Sequence, residues 1–164
     1  LPTRRSFDLP PKKGRSHVLR IIRELIEFEP QSRETNFAEA LKFLSSVMKK
    51  KAIVFVLSDF IADDYLHTMK IAAKKHDVTG IRVYDKGEES MPNLGMVQMQ
   101  DGETGELMLV NTSSRQVRDN YGKYYRDKVK YYKESFSKSG AGTIDCRVDE
   151  SYVKKLLGYF KARA

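Results

Sequence analysis

Ser58 and Asp59 follow directly on the apolar run Ala52-Ile53-Val54-Phe55-Val56-Leu57, so a hydroxyl and a carboxylate close a segment whose other side chains are all apolar. An apolar run without alternation predicts a strand covered by helices on both faces. Ligands of open α/β sheets collect beyond the carboxyl ends of such strands, which makes Asp59 the first candidate for chemistry. Thr35, at the start of a predicted helix before that strand, would reach the same rim, and Asp63, Asp64 and Asp85 would add carboxylates. Such oxygens suit a hard cation: Mg²⁺ keeps several waters and commonly uses one or two carboxylates directly. The same residues have a plainer use, Ser58 and Asp59 in satisfying turn donors and Thr35, Asp63 and Asp64 in capping helices. At this level both uses stand.

Other chemistries find little support. There is no Gly-rich phosphate loop, nucleophile elbow or zinc signature. His17, His67 and His76 show no metal-ligand spacing, and His76, just after Lys74-Lys75, reads as a helix C-terminal residue. A lone cysteine excludes an internal disulfide and a cysteine-rich zinc site. Cys146 lies in the alternating segment Thr143-Ile144-Asp145-Cys146-Arg147-Val148 with no histidine nearby in sequence, so it reads as a structural, inert thiol.

A chain of 164 residues suits one domain able to bury a core without metal or disulfide. The net charge of +8 has two concentrations. One is the Pro-rich lead with Arg4, Arg5, Lys12, Lys13 and Arg15. The other is 115–138, where Arg118, Lys123, Arg126, Lys128, Lys130 and Lys133 alternate with Tyr121, Tyr124, Tyr125, Tyr131 and Tyr132. Basic and aromatic residues together can bind phosphates and stack on bases. However, Val117, Tyr121, Tyr125, Val129, Tyr132 and Phe136 recur at helical spacing, which favours tyrosines packed on a sheet and a solvated basic face. No apolar stretch approaches the roughly 20 residues needed to span a bilayer. The start lacks a secretory apolar core. A soluble, cytoplasmic chain is therefore expected, and the absence of an initial Met suggests a piece of something longer.

The elements that must hold the rim are legible as a helix–strand alternation. Val18, Leu19, Ile22, Leu25 and Ile26 mark a helix capped by Ser16 and stopped by Pro30. Phe37, Leu41, Leu44, Val47 and Met48 mark a second, opened by Thr35-Asn36 with Glu39 closing a capping box. After the apolar strand come a helix over 63–75, a strand around Val78-Ile81-Val83 ending in Asp85, and a hairpin over 96–110 turning at Asp101-Gly102-Glu103-Thr104-Gly105. The Tyr-rich helix, a strand over 144–148 and a last helix with Val153, Leu156, Leu157 and Phe160 complete it. This order predicts an α/β domain over 16–164, a mainly parallel sheet with helices on both faces and an inserted β-hairpin, preceded by the basic lead over 1–15. Three core strands are few for a doubly wound sheet, so one or two upstream strands are expected to be missing.

Several phrases occur in this chain in one order: Pro10-Pro11-Lys12-Lys13-Gly14-Arg15, Thr35-Asn36-Phe37-Ala38-Glu39-Ala40-Leu41, Ile53-Val54-Phe55-Val56-Leu57-Ser58-Asp59-Phe60, Lys75-His76-Asp77-Val78, Arg82-Val83-Tyr84-Asp85 and Asp101-Gly102-Glu103-Thr104-Gly105-Glu106. In these the chain closely resembles the C-terminal part of the bacterial domain-of-unknown-function 58 family, whose members look like von Willebrand factor A domains and are associated with MoxR-type AAA+ ATPases. The resemblance implies a Rossmann-type fold and a metal-ion-dependent adhesion site, in which a divalent cation at the strand rim binds a partner's carboxylate. Thr35 matches the threonine of that site and Asp59 its later aspartate. Its first part, Asp-x-Ser-x-Ser, has no match in the sequence and would lie before Leu1 in the family.

The functional expectation is a non-catalytic adaptor module whose partner is a protein such as a MoxR-type ATPase. Thr35 and Asp59 form its remnant metal site, with Ser58, Asp63 and Asp85 on the rim. Mg²⁺ or Mn²⁺ would suit the complete domain but would not bind tightly here. Two alternatives come from other classes. One is a Mg²⁺-dependent phosphoryl-transfer or nuclease-like enzyme using Asp59, Asp63, Asp64 and Asp85. The other, less favoured, is nucleic-acid binding through the Tyr-rich helix. An open sheet edge would also allow oligomers.

Overall fold

The computed structural model of the chain describes residues 12–27, 36–101 and 105–163. Thr35, Pro30, the lead through Pro11 and the hairpin tip Gly102-Glu103-Thr104 lie outside the described residues. The elements are α1 (Arg15–Glu27), α2 (Phe37–Val47), β1 (Ile53–Ser58), α3 (Leu66–Lys75), β2 (Asp77–Tyr84), β3 (Met96–Gln100), β4 (Leu107–Asn111), α4 (Arg115–Ser139), β5 (Gly142–Arg147) and α5 (Tyr152–Arg163). A short 3₁₀ helix over Lys86–Glu89 follows β2. Strands β1, β2 and β5 form a parallel sheet in the order β1-β2-β5, while β3 and β4 pair as a separate antiparallel hairpin. The fold is α/β, with a three-stranded parallel sheet compatible with a Rossmann-like arrangement.

Local signals explain several boundaries. Asn36 caps α2 by accepting the Glu39 N–H at 2.9 Å, as the capping-box reading requires of its side chain. Ser114 caps α4 through the Val117 N–H. Gly140 ends α4 at φ 71°, a left-handed C-cap that glycine adopts without a Cβ clash, and its N–H returns to the last carbonyls of the helix. Two expected caps are displaced. Helix α1 begins at Arg15, with Gly14 O accepting the His17 and Val18 N–H groups, so Ser16 lies inside the first turn. Helix α3 begins at Leu66 with Tyr65 in the cap position and no side-chain cap, so neither Asp63 nor Asp64 caps it.

One face of the sheet carries the core. Phe37 and Leu41 from α2, Met69 and Ala72 from α3, and Tyr132 and Phe136 from α4 close over Val78, together with Phe60 and Tyr65 from the segment after β1. Strand alternation puts Val78, Gly80 and Arg82 on this face and Asp77, Thr79, Ile81 and Val83 on the other. Gly80 is where α4 comes closest. A Cβ there would stand 2.5 Å and 2.8 Å from two ring atoms of Phe136, and the Tyr132 hydroxyl donates to Gly80 O at 3.0 Å.

The opposite face is held by α5, and only in part. Tyr159 and Thr79 hydroxyls are 2.9 Å apart, Arg163 pairs with Asp77 at 2.8 Å, and Phe160 meets Phe55 edge-to-face at 5.9 Å. The expectation that β1 is covered on both faces is not met among the described residues, where β1 stands at the edge of the sheet and α5 reaches only its middle. Ile53 is 69%, Phe55 42% and Leu57 66% exposed. Helix α1 likewise buries none of its apolar residues against the described chain.

Candidate functional site

The loop after β1 is built to present Asp59. Phe60 adopts φ 58°, a left-handed conformation costly for a bulky L-residue. Its ring offsets that cost by burial: it stacks on Tyr132 with centroids 4.2 Å apart and meets Phe37 and Phe136 edge-on at 5.5 and 5.2 Å. The turn this forces is closed by side chains. Ser58 Oγ accepts the Phe60 N–H at 3.0 Å and Asp59 Oδ1 accepts the Ile61 N–H at 3.2 Å, with the Ser58 hydroxyl 3.3 Å from the same carboxylate oxygen. Ser58 and Asp59 thus satisfy turn donors, and the Asp59 side chain is exposed at the carboxyl end of the strand.

The other rim residues have separate employment. Asp63 forms an ion pair with Lys128 of α4, whose ammonium lies 5.0 Å from the Tyr124 ring centroid. Burial would lower the Lys128 pKa, but the Asp63 hydrogen bond and the neighbouring charges hold it above its ordinary value. Asp64 is exposed at φ 53°. Asp85 accepts the Gly87 N–H at 2.6 Å and so caps the 3₁₀ helix after β2. Among the described residues no three His, Cys, Asp or Glu side chains gather into a group able to hold a metal ion.

The tyrosines of α4 pack as their spacing predicts. Tyr125 and Tyr132 are buried, and Tyr131 accepts the Leu66 N–H at 3.2 Å. Tyr124, the exposed one of this group, lies against Lys128. On the polar side of α4, Glu134 engages Lys138 at 2.8 Å and Lys130 at 3.9 Å. His76 ends α3 as expected and is buried, its Nδ1 accepting the Ala52 N–H at 3.3 Å. Cys146 is a free, buried thiol whose pKa burial pushes up, in keeping with an inert role. No described helix is long and apolar enough to cross a membrane.

Sequence reading missed the strongest polar cluster. Arg82, 4% exposed, donates from Nε to Asp145 Oδ1 at 2.7 Å and from Nη1 to the Tyr125 hydroxyl at 3.1 Å. Its guanidinium carbon sits 3.8 Å from the Tyr84 ring centroid, and Lys133 reaches the other Asp145 oxygen at 3.0 Å. The cluster floors an open cleft of about 650 Å³ between α4 and the sheet. Every polar group of Arg82 and Asp145 named here faces a partner, so the cluster ties α4 to β2 and β5. The available signal was a charged residue inside each of two strands, Arg82 and Asp145, whose meeting depends on the register Arg82↔Asp145.

The family described as protein of unknown function DUF58 matches residues 3–131, and the chain belongs to that family. It is 23% identical over 158 residues to uncharacterized protein MAV169 of Mycobacterium avium, covering 94% of this chain and 93% of that protein. It is 20% identical over 158 residues to uncharacterized proteins Rv1480 of Mycobacterium tuberculosis and Mb1516 of Mycobacterium bovis. In each of these the match covers 94% of this chain and 50% of the relative, so the chain spans about half their length. No solved structure matches it.

Proposed function

We propose that the chain is a non-catalytic interaction module of the von Willebrand factor A type that contacts a protein partner at the rim around Ser58 and Asp59, with a MoxR-type AAA+ ATPase as the partner class. The observation supporting this is the left-handed Phe60, a backbone strain kept in place by core packing whose local consequence is a fixed, exposed Asp59. A strand-end carboxylate held this way can form charge-assisted hydrogen bonds with a cationic or N–H donor of a partner without first ordering its loop.

A divalent cation does not fit the described rim. Asp63 is engaged by Lys128, Asp85 by Gly87 N–H, and one Asp59 oxygen by its own loop. Mg²⁺ or Mn²⁺ would bind this chain weakly or not at all, and the contact through Asp59 would be direct. Titration calorimetry with each metal is therefore expected to give no saturable heat, and heat abolished by Asp59→Ala would overturn the direct contact. Binding of a purified MoxR-type ATPase, read by interferometry in the presence of chelator, should weaken at least tenfold in Asp59→Ala. Undiminished binding would move the interface away from this rim.

A further inference from the structure

The cleft between α4 and the sheet lies across β2 and β5, with no residue of β1 in its lining. Arg82 and Tyr84 stand on one face at the carboxyl end of β2, and the register sets Asp145 of β5 beside Arg82. Open α/β sheets take their ligands beyond the carboxyl ends of their strands. Helix α4 supplies the facing wall. Arg126, Lys130 and Lys133 recur at intervals of four and three residues, which puts these cations on one helix face along about 10 Å of its axis.

The charges around the cleft do not cancel. Asp145 is shared by Arg82 at 2.7 Å and Lys133 at 3.0 Å, and Glu134 by Lys138 at 2.8 Å and Lys130 at 3.9 Å, so each carboxylate answers two cations. Arg126 has no ion pair among the described residues, and neither has Glu89, which the 3₁₀ helix adds to the lining. A positive surplus remains. Arg82 carries a second signal: Asp145 and Tyr125 occupy its Nε and Nη1, but Nη2 takes no hydrogen-bond partner among the described residues although the side chain is buried. A guanidinium N–H withdrawn from water without an acceptor is costly, and an anion in the cleft would supply one through a charge-assisted bond. Tyr84 and Val129 give the same cleft an apolar wall, with the Arg82 guanidinium against one face of the tyrosine ring. Cations beside a ring suit a ligand that joins phosphate to a flat base, and the cleft volume of about 650 Å³ falls in the range of small-ligand sites.

We propose that this cleft binds a nucleoside diphosphate, its phosphoryl oxygens on Arg126, Lys130 and Arg82 Nη2 and its base against Tyr84. The site shares no residue with the rim at Asp59, so either can fail while the other stands. Titration calorimetry of the chain with ADP and no added metal should give saturable one-site heat. Arg126→Ala and Lys130→Ala change exposed side chains and should each weaken ADP about threefold. Glu89→Gln removes the opposing charge and should tighten ADP about twofold. Tyr84→Leu should weaken ADP about tenfold and leave inorganic pyrophosphate binding unchanged. Because that variant is read as the ratio of the two affinities, partial loss of folded protein does not alter the reading. Absence of saturable heat with ADP would overturn the proposal. So would an affinity indifferent to Arg126, Lys130 and Glu89, the mark of an adventitious ion only, or pyrophosphate bound as tightly as ADP.

Discussion

Gly80→Ala is expected to lower stability by about 3 kcal/mol, a loss measurable as a fall in the urea midpoint with unchanged slope. The cost does not come from backbone conformation but from space. An added Cβ would meet ring atoms of Phe136 at 2.5 and 2.8 Å and the Phe60 ring at 3.1 Å, and these rings are themselves packed on Tyr132. Phe60 cannot retreat freely, because its left-handed backbone sits in the turn that fixes Asp59. The substitution should therefore also loosen the rim. Phe136→Ala alone should cost about 3–5 kcal/mol by leaving a cavity. In the double variant the added methyl no longer clashes, so the combined loss should fall short of the sum of the single ones. Additive losses would mean that α4 does not rest on Gly80.

These couplings explain which parts of the molecule could be read from sequence. The strand Ile53–Ser58 and the helix Arg115–Ser139 were legible because their apolar residues follow one continuous rule, a run in the first and a helical period in the second. The edge position of β1 was not, since an apolar run carries no sign of which side finds a neighbour. Asp63 and Asp64 looked like caps because capping is a local rule. The structure instead gives Asp63 to Lys128, 65 residues on, and places Asp64 in a left-handed turn that delays the helix to Leu66. The position of Asp59 at a strand end was legible because it is local, whereas the packing that holds its loop, Phe60 against Tyr132, spans distant elements. The Arg82 and Asp145 cluster required a register that only the folded crossover through α4 defines.

That cluster sets the second large effect, and it carries a pH signature. Burial acts to raise the Asp145 carboxyl pKa, but hydrogen bonds and charge from Arg82 and Lys133 outweigh it and hold the group below the ordinary carboxylate range. A carboxyl lowered on folding binds its proton more readily in the unfolded chain. Its stabilising contribution is thus complete above the unfolded value near ~3.9 and is lost as pH falls through the lower folded value. Asp145→Asn should remove this contribution and flatten the fall of stability in that acid range. The surface pairs around Glu134, Asp149 and Glu150 shift their carboxyls in the same direction, but they are exposed and salt screens them. The part that survives in high salt is then the Asp145 part. Arg82→Met is the harsher test at neutral pH: it leaves Asp145 with Lys133 alone and the Tyr125 hydroxyl without its donor, in a site where Arg82 is 4% exposed. Because the Asp145 side chain keeps 32% of its surface, the expected loss lies below that of a fully buried pair, at about 2–3 kcal/mol. An Arg82→Met variant as stable as the parent, with an unchanged acid limb, would show that α4 is held to β2 and β5 by apolar packing alone.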